Sequence, residues 1–500
     1  MNPEHVPVLV VGAGLAGLSA ATFLGLHGVP ALVVDKHPST AQHPKARGQF
    51  PHTMQALRIA GVDEDFLAAQ PADSGFTIKI AASTSGPVFT TILAGGSPDF
   101  SAFSRNAWAN ASQEKAEVIL LRRARELGAE VRFSTKVESL AQDSEGVTAV
   151  LRELPAGATR EVRADYVVGA DGHRSPIREW LGIGRHGRGV LSESVNAVFE
   201  ADLGEGFDGR NVVFYLQNPE LPGSGGALTS TDHRNRFAIG VGQVDEVDEQ
   251  RWTELIRIAT GLPDLEPKLV EQNSHTTVSA LVADRFSSGR VHLIGDAVRT
   301  MPPHGAMGGN SAIMDGFHLA WKLAMVVKGQ AGQGLLDSHD SERRPYSEIL
   351  VEQQYANMVQ RNSPQLADGS EAELIDPALT ILGYRCPTGA IVREADDDGA
   401  LFEHPAEPTG RPGSRVPYSE STVDIFGRSF VLLTASSTWD EKAADVAGKL
   451  GIDLVIHHVQ EDPARYGVRR DGAVLVRPDG FVAWRGEGDL EAALRTALAR

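Results

Sequence analysis

The stretch VLVVGAGLAGLSAATFLGLHGVPALVVD, residues 8–35, carries the signal that decides the fold. An apolar run at residues 6–11 predicts a buried strand, and residues 15–25 have the composition of a buried helix. A second apolar run, residues 30–35, predicts another strand that ends at Asp35. Strand, helix and strand in this order form a βαβ unit, in which the two strands lie parallel in one sheet.

Three glycines between the first strand and the helix indicate what this unit binds. Gly12, Gly14 and Gly17 match the pattern GxGxxG, which allows a tight turn, backbone approach to a pyrophosphate and close helix–strand packing. The pattern alone is weak, because residues 204–209 also match it but lead into a strand-like segment, which favours a turn-rich loop there. Asp35 lies where a carboxylate binds a ribose hydroxyl and repels a 2′-phosphate. The unit is therefore predicted to bind a dinucleotide.

Composition limits the classes of function. The chain has 500 residues, enough for about three domains. Its formal net charge of −18 argues against a nucleic-acid partner, because a polyanion is repelled. The single cysteine, Cys386, excludes an intrachain disulfide and a CxxC redox pair, and the 16 histidines show no metal-binding spacing, so no metal site is expected. Any redox chemistry must therefore come from a bound cofactor.

Neither a secretory leader nor a membrane span is expected. Residues 1–7 contain Glu4 but no lysine or arginine, unlike the basic start of a signal peptide. No segment reaches the roughly 18 uninterrupted apolar residues of a transmembrane helix. The sequence predicts a cytoplasmic protein without membrane contact.

Hydrophobic periodicity predicts further elements. Helices are expected at residues 112–127 and 311–329, and strands separated by turns dominate residues 190–245, as in a sheet that forms one wall of a pocket. Pro345 predicts a kink or break in the next helix. Residues 366–420 are rich in proline, glycine and acidic residues and are expected to form a long surface connection.

The last part of the chain has the pattern of a small α/β domain. A strand, a helix, a strand, a hairpin and a final helix are predicted in that order, with the hairpin turning at Pro478, Asp479 and Gly480. Cys386 lies outside this domain and has no partner cysteine, so dithiol chemistry is not expected there.

Two later motifs complete a pattern with the first. Asp171 and Gly172 follow one predicted strand, and Gly295 and Asp296 follow another. Together with the GxGxxG segment, with HPKARG at residues 43–48 and with the stretch GRPGSRVP, they resemble the FAD-dependent aromatic hydroxylases, the single-component flavoprotein monooxygenases of the para-hydroxybenzoate hydroxylase type. Within that family, the chain looks like the branch that oxygenates polycyclic aromatic polyketides in actinomycetes.

The resemblance implies an α/β fold of three parts. These are a Rossmann-like FAD-binding domain of the para-hydroxybenzoate hydroxylase type, an inserted β-sheet substrate domain and a C-terminal thioredoxin-like domain with a structural or oligomerisation role. The expected bounds are 1–75, 104–182 and 275–365 for the discontinuous FAD-binding domain, 76–103 and 183–274 for the sheet domain, and 366–500 for the linker and the C-terminal domain.

The resemblance also implies roles for individual residues. Asp35 would hold the adenosine ribose, Asp171 would serve both FAD and the nicotinamide nucleotide, and Asp296 would bind the ribityl chain. Arg47 would lie beside the isoalloxazine, and Gln113 would touch the side of the flavin. The residues expected to bind the cofactor are Gly12, Gly14, Gly17, Asp35, Lys45, Arg47, Gln113, Asp171, Gly172, Gly295, Asp296, Pro303, Gly305, Gly308, Gly309 and Asn310.

The implied reaction is hydroxylation of a bulky, phenolic, polyketide-derived aromatic. In the family, NADPH or NADH reduces the flavin, O₂ adds to form a flavin C4a-hydroperoxide, and an electron-rich ring takes the distal oxygen. The cofactor performs the difficult step, while the protein orients the ring and excludes water. Because no second βαβ dinucleotide unit is visible, the nicotinamide nucleotide is expected to dock near Arg47 and Asp171.

Several alternatives stay open at this point. The same flavin could insert oxygen into a polycyclic ketone in a Baeyer–Villiger reaction, or the protein could bind and shield a reactive intermediate. Lys45 fits a solvated surface charge as well as it fits a cofactor contact. The expected partners are a small aromatic substrate, O₂ and NAD(P)H, and the chain is expected to be a monomer or a homodimer.

The segment RTMPPHGAMGGNSAIMDG, residues 299–316, is predicted to form a cradle for the flavin. Its prolines fix the chain direction, its glycines bring backbone N–H groups close, and a helix that begins near Ser311 directs its positive end at the flavin. His304 and Arg47 are the catalytic candidates. His304 is expected to position the ring or form a hydrogen bond, because the peroxide chemistry needs no strong base. Asp315 could be a partner of the helix dipole rather than a ligand contact.

Four side chains of the predicted pocket sheet are candidates for substrate contact. They are Phe214, Tyr215, Gln217 and Phe237, which lie on strands expected to form the pocket wall. Aromatic side chains in such strands more often belong to the hydrophobic core, so each residue has a structural interpretation beside the functional one.

Overall fold

The structure is a computed structural model of the chain. It describes residues 4–42, 46–71, 75–96, 99–204, 207, 211–242, 244, 247–420, 422 and 424–500. The strands are β1 (Glu4–Val11), β2 (Leu32–Val34), β3 (Arg47–Gln49), β4 (Phe76–Ala81), β5 (Val88–Gly96), β6 (Ala109–Ser112), β7 (Glu130–Arg132), β8 (Thr135–Gln142), β9 (Val147–Glu153), β10 (Thr159–Gly169), β11 (Arg185–Glu200), β12 (Asn211–Gln217), β13 (Gly225–Ser230), β14 (Arg236–Gly242), β15 (Lys268–Ala283), β16 (Ser287–Ser288), β17 (Val291–Leu293), β18 (Arg299–Thr300), β19 (Phe430–Thr434), β20 (Leu454–His458), β21 (Ala473–Val476) and β22 (Val482–Gly486). The helices are α1 (Leu15–Leu26), α2 (Pro51–Ala60), α3 (Asp63–Ala69), α4 (Gln113–Glu126), α5 (Pro176–Trp180), α6 (Glu249–Thr260), α7 (Met307–Val327), α8 (Ser338–Arg361), α9 (Pro377–Leu382), α10 (Trp439–Leu450) and α11 (Leu490–Ala497).

The first sheet contains the predicted βαβ unit. Strand β1 lies in its middle and pairs in parallel with β2 on one side and β10 on the other, and β10 pairs in parallel with β17. Alternate residues of β1 face opposite layers: Val8 and Val10 pack toward α1, α4 and α7, whereas Leu9 and Val11 join the core on the other face. The apolar run of β1 is thus buried on both faces, as expected for a central parallel strand.

The second sheet is mostly antiparallel and follows the order β18-β15-β11-β14-β13-β12-β4-β5. Helix α6 covers one of its faces, with Trp252 and Leu255 buried against that side of the sheet. The predicted series of strands in residues 190–245 is confirmed. Along β14, for example, buried residues alternate with half-buried ones. The half-buried residues point to the other face of the sheet, which carries the site described below.

The last part of the chain folds as β-α-β-β-β-α around a four-stranded sheet with the order β20-β19-β21-β22. Strand β19 pairs in parallel with β20 and antiparallel with β21, and β21 and β22 form the predicted hairpin. Gly480 in the hairpin turn has a φ of +81°. The predicted thioredoxin-like domain is confirmed.

Two predictions about residues 338–420 need correction. Helix α8 continues through Pro345, so the predicted break is wrong, whereas a kink there stays a prediction. Pro345 has no N–H, so the Ser341 carbonyl lacks its usual helical donor. It accepts from the Thr388 hydroxyl at 3.5 Å instead. Residues 366–420 are not only a surface connection, because Tyr384, for example, lies in a buried cluster beneath α8.

Within the described residues, the helices do not combine the length and apolar composition needed to cross a membrane. The same part of the chain brings together no group of three or more histidine, cysteine, aspartate or glutamate side chains that could hold a metal ion.

Two buried histidines predict a pH-dependent stability. Burial lowers the pKa of His292 to about 3 and that of His339 to about 4. Between these values and about 6.5, the unfolded chain binds protons that the folded chain does not, so the free energy of unfolding falls as pH falls. We expect the urea midpoint to decrease steadily from pH 7 to pH 5, with each such histidine contributing up to about 1.4 kcal/mol per pH unit.

The variant His292→Gln isolates this contribution. It should flatten the pH dependence, whereas the exposed control His275→Gln should leave the slope unchanged. Equal slopes for both variants between pH 7 and pH 5 would contradict the assignment.

Candidate active site

The glycine-rich turn between β1 and α1 has the geometry that a bound pyrophosphate requires. Gly12 has a φ of +110°, and a side chain there would collide with the Ala170 carbonyl oxygen. A side chain at Gly17 would collide with the carbonyl of Gly12. At Gly14, the nearest heavy atom to an added Cβ is Glu117 Oε1 at 3.7 Å, so the backbone is open to a ligand. The amino end of α1 is therefore accessible to an anion.

Asp35 follows β2 at the same edge of the sheet. Its carboxylate accepts from the backbone N–H of Ala13 at 2.7 Å and from that of His37 at 2.7 Å. The bond to Ala13 fixes the carboxylate beside the glycine turn. A ribose hydroxyl requires an acceptor in this place, so the geometry is compatible with the ribose contact, which stays a prediction.

The motif after β10 is stabilised by hydrogen bonds that the Asp171 side chain accepts from the residues that follow it. The Asp171 carboxylate accepts from Ser175 Oγ at 2.6 Å and from the Ile177 N–H at 3.0 Å, which holds the start of α5. Burial raises the pKa of Asp171. Gly172 adopts a φ of +84°. The side chain of Asp171 is thus occupied within the protein, and only the backbone of this motif faces the glycine turn.

The motif after β17 packs against the start of α1. An added Cβ on Gly295 would lie 2.7 Å from the Ala16 Cβ, and the Gly295 N–H donates to Asp315 Oδ2 at 2.9 Å. Asp296 is exposed in this turn. The three predicted motifs therefore meet at one edge of the first sheet, although their contacts with a cofactor stay predictions.

Asp315 is a completely buried anion that the sequence did not reveal in this role. It forms ion pairs with Arg299 at 2.8 Å and with Arg343 at 3.0 Å. Burial alone would raise the pKa of Asp315, but the two guanidinium groups outweigh it and lower the pKa to about 2. The prediction that Asp315 serves the helix dipole is wrong, because the residue lies in the middle of α7 and binds side chains from other elements.

Helix α7 begins at Met307, four residues before the predicted start at Ser311. Ala306 precedes it with a φ of +55°. The glycines Gly308 and Gly309 therefore belong to the first turn of the helix rather than to a loop before it. Their N–H groups lie among the four that a helix leaves without an internal partner, which is favourable for an electron-rich ligand.

The other predicted cradle residues differ in what they contact. Pro303 is exposed, and within the described part of the chain an added Cβ on Gly308 would meet no heavy atom within 4 Å. Gly305 leaves no room for a side chain, because Gln354 Oε1 occupies that place. Gly309 packs near Leu15, the first residue of α1.

The Asn310 side chain holds protein backbone. Its amide group donates to the Gly48 carbonyl at 2.9 Å, and its carbonyl accepts from the Phe50 N–H at 2.9 Å. This side chain fastens β3 to the start of α7, so any contact of Asn310 with a ligand must come from its backbone.

His304 is buried between the second sheet and the end of α8. Its ring stacks on Tyr215, with ring centroids 5.0 Å apart and planes inclined by 21°. Burial, together with the positive charge of Arg361, lowers the pKa of His304 to about 3, so the imidazole is neutral at pH 7. His304 Nε2 lies 3.0 Å from Asn362 Oδ1, which can only accept, so Nε2 carries the proton. Nδ1 is then an acceptor, and it has no hydrogen-bond partner among the described residues.

Arg47 links β3 to the second sheet. Its guanidinium donates to the Asn211 side chain and forms an ion pair with Asp232. Gln113, at the start of α4, donates to Glu117 Oε1 at 2.7 Å. Arg47 pairs with Ser112 of β6, the residue before Gln113, so both residues lie near the same boundary. Lys45 lies outside the described residues.

The second sheet separates the four predicted substrate residues by face. Phe214 and Phe237 belong to the hydrophobic core beneath α6. Tyr215 and Gln217 lie on the opposite face of β12, where Gln217 donates to the Arg361 carbonyl at 3.0 Å. Burial beneath α6 favours the structural interpretation of the two phenylalanines, and their contact with a substrate stays a prediction.

Sequence reasoning missed the partners of the predicted residues. Asp232, Arg361 and Asp315 carry charge, but each acts on residues far away in the chain. The signal that could have indicated Asp315 is an acidic residue within a mostly apolar helix, because such a carboxylate must be paired when it is buried.

A second buried charge cluster joins the C-terminal domain to the helices of the site. Arg477 donates to both carboxylate oxygens of Glu342, at 2.7 and 2.9 Å, and Glu342 also accepts from Lys322 at 2.6 Å. Asp479, in the hairpin turn, accepts from His318 Nδ1 and from the Trp321 indole, each at 3.0 Å. Three of these partners lie on α7, so the hairpin fixes the helix whose first turn faces the cradle.

Comparison with known proteins agrees with this geometry. Residues 5–354 match the model of a family described as FAD binding domain, and residues 410–500 match one described as aromatic-ring hydroxylase, C-terminal. The chain is 39% identical to an aklavinone 12-hydroxylase of Streptomyces purpurascens, with 100% of both chains covered. It is 37% identical to a 4-methyl-5-nitrocatechol 5-monooxygenase of a Burkholderia species, covering 99% of this chain and 97% of the relative.

A solved structure is similar over the whole chain. The crystal structure of a ternary complex of aklavinone-11 hydroxylase with FAD and aklavinone has a TM-score of 0.90 and 38% sequence identity, and 100% of each chain is covered. The fold of the chain is thus that of a protein crystallised with a flavin and an aromatic ligand.

The Asp479 cluster generates a prediction about stability and cofactor retention. Asp479→Asn keeps the shape of the side chain but leaves the buried charge of Arg477 with one partner fewer. We expect thermal unfolding at a lower temperature, a loss of about 3–5 kcal/mol, and faster release of FAD, because α7 loses a fixed contact. Differential scanning fluorimetry and flavin fluorescence measure the two effects.

Asp445→Asn is the matched control, since Asp445 lies in the same domain but is exposed on α10, where it pairs with Lys449. If Asp479→Asn unfolds at the temperature of this control, the cluster does not support α7.

Proposed function

The chain belongs to the family of FAD-dependent aromatic-ring hydroxylases, and from that premise we propose that it hydroxylates a bulky, polycyclic phenol derived from a polyketide. The relatives named above include hydroxylases of aklavinone, and their likeness extends over the full chain. The proposed enzyme uses O₂ and NAD(P)H as co-substrates and acts in the cytoplasm as a monomer or homodimer.

The inner face of the second sheet supports a bulky, flat substrate. We use this name for the side that carries Tyr215 of β12, Ala227 of β13, Gly240 of β14 and Asn196 of β11. These four residues lie opposite one another along one row of the sheet. The two in the middle have the smallest side chains, and they lie between a buried aromatic ring and an amide. A shallow floor with polar ends fits an extended ring system with oxygen substituents.

The residues present fit an FAD molecule. The open backbone at Gly14 and the free N–H groups in the first turns of α1 and α7 provide sites for the pyrophosphate and for the electron-rich part of the flavin. When bound and reduced by NAD(P)H, FAD would supply the electrons that activate O₂, and O₂ itself would supply the oxygen atom transferred to the ring. We assign FAD to residues 1–75, 104–182 and 275–365, and the substrate to the sheet domain at 76–103 and 183–274.

His304 is proposed to orient the substrate. Its Nδ1 is an acceptor that lies beside the inner face and can accept from a phenolic hydroxyl. Such a bond fixes the ring and increases the electron density that an aromatic ring needs to be oxidised. Because the pKa of His304 is lowered to about 3, the imidazole stays uncharged at neutral pH and Nδ1 can accept a hydrogen bond.

Arg47 is proposed to contact the flavin region or the nucleotide. It lies on β3 next to the start of α7, to which Asn310 fastens this strand. The ion pair with Asp232 shows that the guanidinium already reaches the boundary between the two sheets.

The test begins with purified protein and its flavin spectrum. NADPH consumption is then followed with phenols of one to four fused rings, and each product is analysed for mass and ring connectivity. We expect bound FAD, faster turnover with larger phenols, and a product heavier by one oxygen atom with all rings intact.

Absence of FAD, or turnover of one-ring phenols as fast as that of four-ring phenols, would overturn the proposal. An enlarged ring would indicate Baeyer–Villiger insertion, and no NADPH consumption with any ligand would indicate shielding.

A change in the floor tests the substrate size directly. Ala227→Phe should reduce kcat/KM for a four-ring phenol by about ten-fold or more, since overpacking costs about 1–3 kcal/mol. FAD binding should be unchanged. Equal kcat/KM values for the variant and the wild type would place the substrate elsewhere.

The role of His304 predicts a loss of coupling. His304→Ala should retain FAD but form up to about five-fold less product for each NADPH consumed, because a hydrogen bond of about 1 kcal/mol no longer holds the ring. Product and hydrogen peroxide are quantified together with NADPH. His275→Ala, which removes an exposed histidine of the same sheet, serves as the control, and unchanged coupling in His304→Ala would return His304 to a purely structural role.

A further inference from the structure

A buried ion pair with a second cation lies at the boundary between the two large sheets. Arg47 on β3 pairs with Asp232, which lies in the turn between β13 and β14, and the side chains are only 12% and 9% exposed. Lys115 on α4 places its Nζ 3.3 Å from Asp232 Oδ2. The cluster, which consists of these three residues, thus joins segments that are 68 to 185 residues apart in the chain.

Two further groups determine how the cluster is held. The Asn211 side chain accepts from Arg47. Ser112, the N-cap residue of α4, lies close enough to Asp232 to help lower the pKa of its carboxylate. Burial alone would raise the pKa of Asp232, but Ser112, Arg47 and Lys115 outweigh it and lower the pKa. Asp232 is therefore an anion at neutral pH and an effective counter-ion.

The charges of the cluster do not cancel. Arg47 and Lys115 provide two positive charges against one negative charge, in a chain whose formal net charge is −18. An anionic ligand is repelled by such a protein as a whole and must find a local positive site. Lys115 is 44% exposed, so this side of the cluster is accessible from solvent.

We propose that Asp232 is an internal counter-ion of Arg47 that the anionic nicotinamide nucleotide must displace, and that it restrains nucleotide binding. This inference rests on the proposed function. The pyrophosphate of the nucleotide offers Arg47 the same paired-oxygen geometry that a carboxylate does. The nucleotide first contacts the exposed Lys115. Its pyrophosphate then replaces the Asp232 carboxylate as the partner of the Arg47 guanidinium. Asp232 thereby weakens nucleotide binding in the resting protein, and the cost of this exchange contributes to the dissociation constant.

The experiment measures binding rather than turnover. NADP⁺, which cannot reduce the flavin, is titrated into FAD-loaded protein by isothermal calorimetry at low and high salt. Asp232→Asn should bind NADP⁺ about five-fold more tightly than the wild type at low ionic strength, the effect of one partly buried charge pair. The gain should shrink at 0.5 M KCl, because added salt shortens the Debye length and screens charges that are accessible to solvent.

Two further variants make the test decisive. Lys115→Gln should weaken NADP⁺ binding by about three-fold and is exposed enough to fold if Asp232→Asn does not. Asp445→Asn changes the net charge as Asp232→Asn does, but on the far C-terminal helix α10, and should leave the dissociation constant unchanged. The proposal is overturned if Asp232→Asn binds NADP⁺ no more tightly than Asp445→Asn, or if Lys115→Gln binds it as well as the wild type.

Failure of the proposed function appears differently. In that case the wild-type protein lacks FAD or forms no hydroxylated product. Normal FAD spectra and normal hydroxylation, combined with unchanged NADP⁺ affinity in both cluster variants, would refute only the role of Asp232. A change in the affinity for the aromatic substrate instead of the nucleotide would equally refute it.

Discussion

One buried carboxylate, that of Asp315, joins the elements around the cradle. It balances Arg299 from β18 and Arg343 from α8, and it accepts the N–H of Gly295 after β17. Removing one partner of such a buried pair costs about 3–5 kcal/mol, so these elements cannot shift independently. The first turn of α7 lies about two turns away along the same helix. Its position toward a cofactor is therefore determined by a contact deep inside the protein.

The parts that could be predicted from the sequence depend on short-range patterns. The βαβ unit, the helix α4 and the hairpin at Gly480 follow from hydrophobic period and turn residues within about 30 positions of each other. Gly12 and Gly17 also behave as expected, because an added Cβ at either position would collide with a backbone carbonyl oxygen. The larger architecture, with its sheet domain and thioredoxin-like domain, came from the resemblance of ordered motifs to a family.

What could not be predicted depends on distant partners. The start of α7 at Met307 is four residues early because Ala306 adopts a left-handed conformation that no local pattern indicates. Phe214 and Tyr215 look alike in sequence, but only the register of the sheet and the position of α6 decide which one is core. The pairing of Arg47 with Asp232 connects positions far apart in the chain, so charge alone did not reveal it.

The hairpin of β21 and β22 has a consequence for how the protein is synthesised. Lys322 and Glu342 emerge from the ribosome well before Arg477, and their ion pair stays in contact with water until the hairpin covers it. Helix α7, whose first turn belongs to the cradle, therefore gains its contacts with Asp479 only after residues near 480 have been translated. The glycine turn that is predicted to bind the dinucleotide is thus among the first segments to be made, but the helix that packs against α1 is fully fixed only near the end of synthesis.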